Sequence, residues 1–116
     1  MIVRGLVACL ALAGSAPPAF AHAFLQHAEP GAGATLWAAP KRIALTFTEK
    51  LEPAFSGMSV SDLSGQSVEA GAVMIGGNSM VAPLRILAPG TYRVNWHAVS
   101  VDTHRTEGAY SFTVKP

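Results

Sequence analysis

The chain predicts an all-β domain, a seven-stranded Greek-key β-sandwich of immunoglobulin-like architecture, preceded by a cleaved secretory leader. Three observations carry that reading. Apolar and polar residues alternate at a period of two in several segments, and turn-forming residues punctuate the chain at short intervals. After the leader, no stretch shows a convincing helical apolar period. About seven short strands at this spacing fit two packed antiparallel sheets.

Residues 1–21 have the three parts of a secretory signal peptide. Arg4 supplies the charge of the n-region, and Gly5 to Ala13 form an uncharged, mostly apolar run. Pro17 and Pro18 then precede Ala19-Phe20-Ala21, an A-x-A cleavage site. The apolar run is far short of the ~20 residues a membrane span needs, so it predicts no direct membrane anchor. Two other readings compete. Leu6-Val7-Ala8-Cys9 has the form of a lipoprotein box, but too few residues precede Cys9 to hold both a charged and an apolar region. Ala21-His22-Ala23 is also A-x-A-like, and a cut there would discard His22. Cleavage after Ala21 is the preferred reading. It leaves residues 22–116 as one exported domain that begins at His22, with a bacterial periplasm as the expected compartment.

The strands follow in order. Ala23 to His27 is a short first candidate. Lys41 to Thr48 sets Ile43, Leu45 and Phe47 on one face against Ala44, Thr46 and Thr48. Gly57 to Leu63, Gln66 to Ala70 and Ser79 to Leu84 are shorter candidates. Thr91 to Ala98 places Tyr92, Val94 and Trp96 opposite Arg93, Asn95 and His97; Tyr110, Phe112 and Val114 alternate with Ser111, Thr113 and Lys115. Pro30-Gly31, Pro40, Pro53, Ser64-Gly65, Gly76-Gly77-Asn78 and Pro89-Gly90 mark the turns between them. No repeat, low-complexity tract or internal linker divides the domain.

Cys9 is the only cysteine and leaves with the leader, so the mature chain holds no disulfide and no thiolate ligand. With Arg4 also removed, seven basic residues balance seven acidic ones. That balance predicts no basic patch for nucleic acid and no polybasic membrane tether. No acid–base pair or activated nucleophile stands out, so hydrolytic chemistry has no support.

All four histidines survive cleavage. Ser100-Val101-Asp102-Thr103-His104 puts Asp102 and His104 two apart, on the same side of an extended segment. Alone, that is half of a metal site or merely an Asp orienting a surface His. His22 changes the balance. A free N-terminal amine and the Nδ1 of the same histidine chelate one ion in a six-membered ring, and His104 adds a third nitrogen. With an oxygen from Asp102, the set suits a tetragonal cupric ion, and copper(II) tops the divalent affinity series for such donors. His27 lies at an odd offset from His22 and is expected on the opposite face, as a surface or turn-capping residue rather than a further ligand. His97 falls on the polar face of the Trp96 strand, as a partly buried polar position with direct ligation a lesser reading. Met58, Met74 and Met80 form no M-x-x-M or M-x-M cluster and read as core filler, so no cuprous site is expected.

The mature start "HAFLQHAEPGAGATLWAAPKRIALTFTEKLEPAF" and the end "GTYRVNWHAVSVDTHRTEGAYSFTV" resemble the CopC-type periplasmic copper-binding and copper-resistance proteins. The N-terminal histidine, "YRVNWHAVSVDTH" and "GAYSFTV" are the most specific parts. The resemblance implies a seven-stranded Greek-key sandwich and a cupric site at His22, through amine and imidazole, with Asp102 and His104. It also implies a CopD-type inner-membrane copper protein as partner. Two departures stand out. The family usually reads D-G-H where Thr103 stands here, and a glycine at positive φ would make Thr103 strain the turn. Some relatives carry a methionine-rich Cu(I) loop near the position of Met58, and this chain lacks it.

The function expected is therefore a monomeric periplasmic copper(II)-binding protein, not an enzyme, that sequesters the ion or hands it to a membrane partner. Thr103 and Glu107 are expected near the ligands. Two other classes are kept. A histidine-brace copper oxidase would need an aromatic docking face that so small a domain hardly accommodates, and an equatorial position that Asp102 would fill. A metal-free immunoglobulin-like interaction module would need an exposed apolar patch or edge strand for pairing.

Overall fold

The computed structural model describes residues 22–116, so the leader expected over residues 1–21 lies outside the described residues. Two four-stranded sheets pack face to face. One has the order β1 (Leu25–Glu29), β3 (Arg42–Phe47), β6 (Ser79–Pro83), β5 (Met74–Gly76). The other has the order β2 (Thr35–Leu36), β8 (Arg105–Val114), β7 (Gly90–Val99), β4 (Gly57–Asp62). All neighbours are antiparallel except β2 and β8, which run parallel.

The alternation read from the sequence is the packing. Ile43, Leu45 and Phe47 of β3 face Val60 of β4, Val94 and Ala98 of β7 and Phe112 of β8 across a closed core. Each large side chain so buried stabilises the fold by roughly 1.5–3 kcal/mol relative to exposure. Phe47 meets Trp96 edge-on with ring centroids 5.2 Å apart, and Tyr92 stacks on Phe112 at 5.6 Å. The Tyr92 hydroxyl donates to the Ala88 carbonyl at 2.5 Å, tying the start of β7 to the loop before it.

The strand count is eight rather than seven. The expected strand at Gln66 to Ala70 is not continuous. Val68 N–H donates to Val60 of β4 while Ala70 N–H donates to Pro83 of β6, so this segment passes from one sheet to the other and keeps only isolated bridges. β2 is two residues long, too short to show a period, and β5 pairs with β6 across a Gly77-Asn78 loop in which Gly77 has φ 57°. β8 begins five residues before the alternation is visible because Thr106 and Gly108 occupy inward positions there. Gly108 is required at that point. A Cβ on it would stand 2.6 Å from Trp96 Cζ2.

β7 and β8 are the long antiparallel pair that runs the length of the sandwich. Their Val99–Arg105 end closes through residues 100–104, and their Gly90–Val114 end lies beside β2 and the start of β3.

Candidate metal centre

The loop between β7 and β8 is a three-residue hairpin. Ser100 N–H donates to the His104 carbonyl at 2.9 Å, and Thr103 N–H donates back to the Ser100 carbonyl at 2.8 Å. Such a loop places its last residue in the left-handed region. That residue is Thr103, with φ 73°, the only non-glycine residue at positive φ among those described. A β-branched side chain at this φ strains the turn. His104 is nevertheless kept facing Asp102, with Nδ1 3.3 Å from Oδ1.

The buried Ser100 hydroxyl donates to Asp102 Oδ1. That bond holds the Asp102 carboxyl below its ordinary range; partial desolvation opposes it, and the bond from His104 adds to it. An ionised carboxylate therefore stands beside the His104 ring.

His22 reaches the same place from the other end of the described chain. Ala23 is fully buried, and its carbonyl accepts a hydrogen bond from Thr106 Oγ1 of β8 at 2.5 Å. Thr48, just after β3, grips either side of it: its hydroxyl donates to the His22 carbonyl at 3.0 Å and accepts from Phe24 N–H at 2.9 Å. Thr48 N–H also donates to the Phe24 carbonyl at 2.9 Å. Residues 22–24 are thereby tied to both sheets. The His22 ring stacks on His104 with centroids 4.5 Å apart and planes 29° apart, and lies 5.5 Å from the Phe24 ring.

The other sequence candidates are elsewhere. His27 is exposed on β1 with Nε2 3.5 Å from Glu29 Oε2. His97 lies on the outer face of β7, its ring over Gly57 of β4. Glu107, expected near His104, instead takes Arg105 Nε at 3.3 Å and sits opposite His97 in the β7–β8 register. The three described methionines are dispersed: Met58 and Met80 are buried on β4 and β6, and Met74 is exposed on β5. Three residues that matter here were not singled out from sequence. Ser100, Thr48 and Thr106 are small hydroxyl residues, and only the hydrogen-bond geometry distinguishes them from ordinary strand-end residues.

Residues 25–115 match the family model of the CopC domain. This chain belongs to the CopC family. It is 38% identical over 117 aligned residues to protein YobA of Escherichia coli K12, covering 97% of this chain and 94% of that protein. Two solved structures are also similar. The crystal structure of CopC from Methylosinus trichosporium OB3b superposes with a TM-score of 0.75 at 35% identity, covering 82% of this chain and 95% of that one. PcoC, a methionine-rich copper resistance protein from Escherichia coli, gives a TM-score of 0.73 at 43% identity, covering 82% of this chain and all of that one. The CopC match begins at residue 25, so His22 lies just ahead of it.

Proposed function

We propose that this CopC-family chain is a periplasmic copper-binding protein of copper resistance or homeostasis, and that its cargo is copper(II). The observation that carries this is the meeting of His22 with His104 and Asp102 at one end of the sandwich. After cleavage behind Ala21, His22 supplies its amine and Nδ1, His104 a ring nitrogen, and Asp102 a carboxylate oxygen that lowers the charge of the site. The α-amine ordinarily titrates near ~8, so uptake releases protons and weakens as pH falls.

The protein acts as a monomeric carrier and not as an enzyme, sequestering copper or passing it to a CopD-type inner-membrane protein. This rests on the family and on the donor set, three nitrogens and a carboxylate, which suits holding a cupric ion.

Calorimetric and EPR titration of residues 22–116 with cupric ion tests the proposal. One tight equivalent is expected, with His104→Ala abolishing it and His27→Ala leaving it intact. Tight binding that survives His104→Ala would refute the ligand set.

A further inference from the structure

β1 is the edge strand of its sheet, and an extra residue breaks its pairing with β3. Leu25 lies opposite Phe47 and packs against the core, while His27 lies opposite Thr46, so two steps on β1 match one on β3. Strict alternation from Leu25 would aim His27 at the core. The bulge turns it to the outer face instead, the face that carries Glu29 opposite Ala44.

There the two side chains meet. His27 Nε2 is 3.5 Å from Glu29 Oε2, and neither side chain makes another hydrogen bond or ion pair among the described residues. An ion about 2.0–2.1 Å from both an imidazole nitrogen and a carboxylate oxygen sets those atoms about 2.9–3.4 Å apart, from square to tetrahedral angles. The two donors therefore close on one ion with a shift of about half an ångström or less. Both are mostly exposed, so the shift disturbs no core contact. They border an open groove of about 350 Å³ faced by Leu36, Ala38 and Pro40, which leaves room for water on the remaining positions of an ion. Arg42 lines the same groove from β3, and its charge opposes a dication. It forms no ion pair with Glu29, so it weakens the site without occupying its carboxylate.

We propose that His27 and Glu29 form a second, weak and exchangeable site for a borderline divalent cation, copper(II) ahead of zinc. Imidazole and carboxylate donors suit that class, and copper(II) heads its affinity order. The site shares no residue with His22, Asp102 and His104 and does not depend on a free α-amine. It fills only when the ion exceeds the tight equivalent, and it returns its ion readily to solvent.

The test is calorimetry of cupric addition to residues 22–116 carried well past one equivalent, with zinc addition followed by the imidazole nitrogen resonances. A second, weaker uptake is expected. His27→Ala should remove it, Glu29→Gln should weaken it several-fold, and His97→Ala, at another outer-face histidine, should leave it unchanged. His104→Ala should remove the tight uptake and keep the weak one, so failure of either site is read separately. Zinc should shift the Nε2 resonance of His27. Circular dichroism confirms that each variant is folded. A single uptake only, or a second uptake that survives His27→Ala, overturns the proposal. So does loss of the weak uptake in His104→Ala, an unchanged one in Glu29→Gln, or a zinc shift confined to the other histidines.

Discussion

The His22 and His104 rings, from opposite ends of the described chain, lie face to face with centroids 4.5 Å apart. A metal ion sits in the plane of an imidazole at about 2 Å from its nitrogen. Two stacked rings whose planes are only 29° apart cannot both point in-plane at one nearby ion, so the site proposed above requires at least one ring to turn out of the stack on binding. Backbone ties bring the proposed ligands together, and the proposal leaves the final ring rotation to metal binding.

If His22 is a ligand as proposed, those ties make Thr48 a determinant of affinity. Its hydroxyl holds both the His22 carbonyl and Phe24 N–H. Replacement by Val keeps the shape and removes two hydrogen bonds worth roughly 1 kcal/mol each. Thr48→Val is expected to weaken copper binding by about tenfold or more, with a smaller effect on the urea midpoint. Unchanged affinity would show that the terminus is positioned by other contacts.

Thr103 is the residue to relieve. Its φ of 73° is costly for a β-branched side chain and free for glycine. Thr103→Gly should raise stability by about 1 kcal/mol or slightly less, since glycine gives back part of the gain as chain entropy. Urea unfolding reads this directly, and a loss of stability would contradict the strain.

Gly108 and Gly57 make a paired comparison. A Cβ at Gly108 meets the Trp96 ring at 2.6 Å, and that ring is packed against Phe47. Gly108→Ala should cost roughly 1–3 kcal/mol. At Gly57 the nearest atom is His97 Cε1 at 2.9 Å, on an outer-face ring that can swing aside, so Gly57→Ala should cost less. Thermal melts of the two variants give the order.

Much of this was legible beforehand. The period-two runs over β3 and β7 marked the core faces because that signal is local, whereas Asp102 and His104 were expected on an extended segment and instead flank the left-handed residue of a turn. β2, β5 and the start of β8 were not legible, since two or three residues, or a glycine facing inward, erase the alternation. The clamp on His22 was hidden for another reason. Thr48 and Thr106 act through backbone carbonyls distant in sequence, and no spacing rule records such a contact.

Alkaline pH tests the packing at Tyr110. Burial, with the negative charge of Glu29 assisting, pushes its phenol up to about 12, and its hydroxyl donates to the Pro30 carbonyl at 2.9 Å. The folded value is raised, so this contribution to stability is complete below the unfolded value near 10 and is lost as pH rises from there through about 12. Tyr110→Phe should flatten that decline in the unfolding free energy. An unchanged slope would place the alkaline sensitivity elsewhere.

The central claim is that cleavage behind Ala21 creates the metal ligand. Cupric titration followed by EPR, on a chain beginning at His22 and on one carrying an extra N-terminal glycine, tests it most directly. The added residue moves the amine off the histidine, so the six-membered chelate cannot form. The account predicts one tight, nitrogen-rich tetragonal site in the first chain, lost or much weakened in the second. Equal binding by both would show that the amine of His22 is not a ligand and would contradict the site proposed here.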